Sequence, residues 1–181
     1  MKTAKRILAV MLSIIMAALL LTPVMAAEEI DTSRPTKAHI SFNEDGKLTI
    51  LQIADIQDDG SLDPLAKSAI NLAVKKSNPD LIVLTGDNIA GYSCGTKTIG
   101  KLAIKQYMDV FEKLGVPVAM VFGNHDDDDT PYTKLEQIEQ YETYDCFIGC
   151  AGVVAEKTVG DNHTINAGTY NIPVYESKDS D

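Results

Sequence analysis

The sequence predicts an α/β fold with a parallel sheet, and three observations carry that reading. Three apolar runs, LTILQIADIQ, LIVLTGDN and PVAMVFGNHD, each break into Asp, Asn, Gln or His at their carboxyl ends. A helical pattern separates the first run from the second and the second from the third. The separations, 32 residues from Asp55 to Asp87 and 37 from Asp87 to Asn124, suit a βαβ unit, which takes about 30 residues or more. Ligands of open α/β sheets bind outside the carboxyl ends of the strands. The fold therefore gathers Asp55, Gln57, Asp87 and Asn124 at one edge, as oxygen donors for a divalent cation.

The chain opens on Lys2, Lys5 and Arg6, then an apolar run from Ile7 to Leu21 broken only by Ser13, then Thr22-Pro23 and small residues to Ala26. That is the layout of a signal peptide cleaved after Ala26, and the run is shorter than the roughly 20 residues a bilayer needs. Residues 27–36 are a polar, flexible lead-in. Lys37 to Phe42 alternates, Asn43 to Gly46 is turn chemistry, and a hairpin into Leu48–Ala54 is expected. Asp63 is an N-cap with Pro64 at the first helical position. Leu65, Ala66, Ala69, Ile70, Ala73 and Val74 then recur at helical spacing until Asn78-Pro79.

Leu81 to Leu84 is a continuous apolar run, the pattern of a strand buried on both faces, and the other two runs are read the same way. Gly86 lets the backbone turn sharply before Asp87. Residues 91–98 form a Gly/Ser/Thr loop. A second helix is expected from about Ile99 to Leu114, closed by Gly115. Pro117 to Phe122 is the third strand, and another helix should span about Lys134 to Cys146. Val153 to Ala155 and Thr169 to Tyr175 read as strands around a polar loop, Gly160–Gly168.

Removing residues 1–26 strips three positive charges and no negative ones, so the net charge goes from −10 to −13. Such a surface repels nucleic acid and anionic membranes, and neither is an expected partner. A phosphate-ester substrate would need a cation to approach. Of the three cysteines, Cys146 and Cys150 lie beside an apolar cluster and read as small buried hydrophobes; no matching Cys or His pair supports a zinc site.

Asp87, on the middle strand, is the natural bridge if two metals sit about 3.5–4 Å apart across a phosphoryl displacement. His125 can donate a proton near neutral pH, to the leaving oxygen or to the transferred group. His39 reads as structural and His163 as surface. Asp58, Asp59 and the run Asp126 to Asp129 read as solvated loop charges.

Together ILQIADIQ, LIVLTGDN and VFGNHD resemble the first three motifs of the calcineurin-like metallophosphoesterases. This superfamily includes purple acid phosphatases, and the chain is similar to exported members near the Dcr2-like branch. The resemblance spans about Leu48 to Asp126. It implies a four-layer αββα sandwich and phosphate-ester hydrolysis by metal-bound hydroxide at a dinuclear Fe, Mn or Zn centre. It makes Asp55 a ligand of the first metal, Asp87 the bridge, Asn124 a ligand of the second metal beside the substrate, and His125 the acid or transition-state partner. Gln57 stands where the family commonly has His, a harder ligand than imidazole. The family's later histidines have no counterpart after Asp126, where only His163 follows. Residues 37–181 are therefore expected to be the N-terminal part of such a domain, its second half missing after Asp181. The rival expectation is a non-catalytic fragment that binds one cation.

Overall fold

The computed structural model describes residues 38–149, 157–159, 163–165, 168, 170 and 172–176. The chain divides after Asp31, and the architecture below belongs to the second unit, Thr32–Asp181. The expected signal segment and the lead-in lie outside the described residues, as do Cys150 and the expected strand Val153–Ala155. The element order is β1 (Ile40–Ser41), β2 (Ile50–Ile53), α1 (Pro64–Ser77), β3 (Leu81–Thr85), α2 (Lys97–Leu114), β4 (Val118–Val121), α3 (Lys134–Tyr141), β5 (Lys157–Val159), β6 (His163–Ile165) and β7 (Val174–Tyr175).

Strands β2, β3 and β4 form the expected parallel sheet with β3 in the middle. Ile53 pairs with Leu84 and Thr85 with Val121, so the three strands end almost level. Alternation along β3 and β4 divides the core. Ile82, Leu84, Val118 and Met120 face the helices, where Ala103, Ile104, Tyr107, Met108 and Phe111 of α2 meet them. Leu81 and Ala119 face the other way, with Val83 packed beside them, onto Ile40, Ile148 and Ile172. Each fully buried Ile or Leu contributes about 1.5–3 kcal/mol. A helical layer, a parallel sheet and a smaller β layer thus stack in the order of an α/β sandwich.

The helices begin and end where their caps dictate. Asp63 accepts the N–H of Leu65 at 2.6 Å ahead of Pro64, and Asn78 closes α1 in the left-handed region. Thr96 caps α2 two residues earlier than the apolar pattern indicates. Gly100 is needed within it, because a Cβ there would lie 2.5 Å from the Tyr132 ring. Thr133 and Glu136 form a reciprocal capping box on α3.

Four expectations are corrected. β1 does not pair with β2 in a hairpin, although Asn43 makes the expected turn with Lys47; it lies parallel to β7, in the second β layer. β2 is an edge strand with Ile50 53% exposed, so only two of the three runs are buried on both faces. α3 stops at Tyr141 because the Glu112 carboxylate accepts the N–H groups of Asp145 and Cys146, at 3.2 and 3.0 Å, and Phe147 bridges to Val118. The segment Gly160–Gly168 contains β6, antiparallel to β5. Cys146 is half-buried against the core, while Cys94 is fully buried.

Candidate metal centre at the sheet edge

Beyond the level ends of β2, β3 and β4 the backbone does something strands do not. Asp55, Gln57 and Asp87 hold φ of 55°, 46° and 52°, in the left-handed region that costs a non-glycine residue about 1 kcal/mol or more. Three of the four expected ligand residues carry this strain. It turns the chain out of the sheet after β2 and after β3 while the two loops stay zipped together. The N–H of Asp55 donates to Gly86 at 3.1 Å and that of Gln57 to Asp87 at 3.0 Å.

The third strand end closes onto Asp87. Its Oδ1 accepts the N–H of His125 at 2.9 Å, and its second oxygen accepts no hydrogen bond among the described residues. A Cβ on Gly86 would come within 2.7 Å of the Gly123 nitrogen, and one on Gly123 would overlap Asp87 Oδ1. The two loops approach this closely because both positions are glycine. Asp55, Gln57, Asp87 and the Gly123–His125 turn therefore share one edge, as the sequence predicts. Asp55 and Asn124 are exposed there; Gln57, Asp87 and His125 are half-buried. His163 lies on β6, away from any of these strand ends in the chain.

Asp126 is the main residue that sequence reasoning misplaced. It is not a solvated charge but completely buried. Its Oδ1 accepts the N–H groups of Asn88 and Ile89 at 2.8 and 3.0 Å, and its Oδ2 that of Gly123 at 2.6 Å. Its own carbonyl accepts Gln137 Nε2 at 2.6 Å, and Asn88 Nδ2 donates to Val121 at 2.9 Å. One carboxylate thus ties the loop after β3 to the loop after β4. Burial pushes its pKa up, against the pull of the Ile89, Gly123 and Asn88 amides. Asp58 is likewise buried, pairs with Ile89 in an isolated bridge and accepts the Gly60 N–H at 2.6 Å. Burial again leads and raises its pKa. The pattern that reveals Asp126 is its position directly after Gly-Asn-His, which sets it apart from the other three aspartates of the run.

Tyr92 and Asp128 complete the surroundings. Tyr92, on a 3-10 turn at Gly91–Ser93, donates its hydroxyl to Gln57 Oε1 at 3.3 Å and stands edge-on to the His125 ring at 5.3 Å. Asp128 Oδ2 lies 2.8 Å from His125 Nδ1.

The donors present are two carboxylates and two amides, the chemistry of a hard, oxygen-preferring cation. Among the described residues no three His, Cys, Asp or Glu side chains stand together as a metal-binding group. The strained strand ends and the glycine contact that clears Asp87 fit a first cation. A second transition ion would have Asp87 and Asn124 without an imidazole.

Comparison with known proteins agrees with the fold that carries this edge. The family described as calcineurin-like phosphoesterase matches residues 48–176. The chain is 25% identical over 166 residues to "Probable inactive purple acid phosphatase 28" of Arabidopsis thaliana, covering 81% of this chain and 41% of that protein. It is 29% identical over 106 residues to "Probable inactive purple acid phosphatase 14" of the same plant, covering 50% and 26%. The chain thus spans less than half the length of both relatives.

Proposed function

Since the chain belongs to the calcineurin-like phosphoesterase family, a family of metal-dependent phosphoester hydrolases, we propose that its sheet edge is the first half of a phosphoester-hydrolysing centre. The observation that supports this most is the meeting of three ligand-bearing strand ends at Asp87: those after β2 and β3 carry the left-handed residues Asp55, Gln57 and Asp87, and the turn after β4 donates the His125 N–H to Asp87. Asp55, Gln57 and Asp87 would hold a first cation, and Asp87 with Asn124 would take part in holding a second. Bound cations supply Lewis acidity to the phosphoryl oxygens and to the attacking water. The chain's own residues position and protonate. Asn124 and His125 would face the phosphoryl group, and His125 would give the proton that the leaving oxygen needs. The strained loops, tied down by Asp126, fix those side chains in advance. The substrate is a phosphate ester; the net negative surface makes its approach depend on the cation.

A second reading is favoured by the donor set, and by the word "inactive" in the names of both relatives. In that reading the chain holds a cation at Asp55, Gln57 and Asp87 without turnover. One experiment addresses both. The parent and Asp87→Asn are loaded with Mn or Zn, dialysed, and assayed for bound metal and for hydrolysis of p-nitrophenyl phosphate. The parent should retain metal, and Asp87→Asn should lose most of it. Equal metal content in the two would remove Asp87 from the site and the reading with it. Retained metal without turnover selects the second reading.

Export through the amino-terminal segment remains part of the proposal. It rests on the basic head and apolar run of residues 1–26. Among the described residues no helix is long and apolar enough to cross a membrane.

A further inference from the structure

The structure assigns Asp128 as the positioning residue of His125: its carboxylate accepts Nδ1–H and so leaves Nε2 as the nitrogen that meets a ligand. The inference rests on the proposed role of His125 but not on any bound cation. The contact itself is 2.8 Å, His125 Nδ1 to Asp128 Oδ2. What gives it weight is how firmly both backbones are held. The His125 N–H is fixed to Asp87 Oδ1 and its carbonyl accepts the Gly91 N–H at 2.8 Å. A Cβ on Gly91 would stand 2.5 Å from the His125 carbonyl oxygen and 2.8 Å from that of Asp128. The turn carrying both residues is therefore seated against a glycine with no room to shift toward it. Between them Asp126 is anchored by its three backbone donors and by Gln137. On the other side the Tyr92 ring meets the imidazole edge-on at an interplanar angle of 79°. The ring is thus confined from two directions.

The side chains of His125 and Asp128 are 34% and 50% exposed, so the pair adds little to folding stability. Its effect is on the ring itself. A neutral imidazole carries one proton, and the acceptor beside one nitrogen decides which nitrogen bears it. With Asp128 in place the proton sits on Nδ1, and Nε2 presents its lone pair outward. When the ring is charged, both nitrogens carry protons and Nε2–H is the one free to be given. Asp128 acts through His125 and touches no reacting atom.

The test reads the tautomer directly. The metal-free, isotopically labelled full chain is examined by long-range proton–nitrogen NMR, at a pH high enough that the ring is neutral. In the parent the Nδ1–H form should dominate at His125. In Asp128→Ala the ratio of Nδ1–H to Nε2–H should fall by about tenfold, the loss of one charge-assisted hydrogen bond at a half-exposed site. Asp128→Asn, which keeps a carbonyl acceptor, should fall between the two. Asp127→Asn removes the same charge from the same loop and should leave the ratio unchanged. An Nε2–H form dominating in the parent overturns the assignment without reference to any variant, as does an equal ratio in the parent and Asp128→Ala. Because no metal or turnover enters the readout, failure of the phosphoesterase reading would leave this result standing, and the reverse.

Discussion

Replacing Asp126 tests whether one buried carboxylate holds the site loops together. In Asp126→Ala the N–H groups of Asn88, Ile89 and Gly123 lose their acceptor at a position with no solvent contact. An orphaned buried N–H costs about 1–3 kcal/mol, so the gross loss is several kcal/mol. Part of it is returned, because the carboxylate is buried without a cationic partner among the described residues. Its raised pKa records that burial cost. The net loss should be about 3–4 kcal/mol. Asp126→Asn keeps one acceptor oxygen but turns an NH2 toward donors, either the Asn88 and Ile89 pair or Gly123. It should cost about 2 kcal/mol. The assay is urea unfolding followed by circular dichroism, in chelator so that no cation contributes, with the slope checked for constancy. Asp127→Ala is the control: Asp127 is exposed in its 3.1 Å pair with the half-buried Lys134, and losing it should cost about 1 kcal/mol, well below Asp126→Ala. An Asp126→Ala variant within about 1 kcal/mol of the parent would refute the reasoning.

Two further outcomes are expected. Tyr107, Tyr132 and Tyr144 have raised pKa values, burial being the first cause of each, with Tyr144 pushed up to about 12. A raised folded-state pKa gives stability that is complete below the unfolded value near 10 and is lost as pH rises through the folded one. At pH about 11 the native chain should therefore show clearly less phenolate absorbance than the chain in denaturant, and equal absorbance would refute the burial assignments. Expressed in a secreting host, the mature protein should begin at Ala27; an intact Met1 recovered in the membrane fraction would defeat the export reading.

The strand–helix order was legible because its signals are local. β3 is a short run of apolar residues, and Asp63, Pro64 and Gly115 mark helix ends by their own conformational preferences. The shared edge was legible because parallel strands of similar length must end together. What escaped the sequence depends on contacts between distant segments. β1 finds β7 about 130 residues away rather than its neighbour. The end of α3 is set by Glu112, more than 20 residues before it. Asp126 and Asp58 belong to acidic stretches, and composition cannot separate a carboxylate that meets backbone donors from one that meets water.

The strain at the site and the burial of Asp126 are parts of one arrangement. Asp55, Gln57 and Asp87 would relax toward ordinary backbone angles if their loops could separate. They are prevented by the hydrogen bonds from Asp55 to Gly86 and from Gln57 to Asp87, and by the contact between Gly86 and Gly123. Asp126 holds that contact shut from below, through Gly123 on one side and Asn88 and Ile89 on the other. Each left-handed residue costs about 1 kcal/mol or more, and Asp126 spends a buried carboxylate without a positive partner among the described residues. Folding alone gives no reason to collect these costs at one edge, since relaxed loops would connect the same strands. The proposed ligand-binding role would give one, because it needs Asp55, Gln57, Asp87 and His125 in place before the ligand arrives.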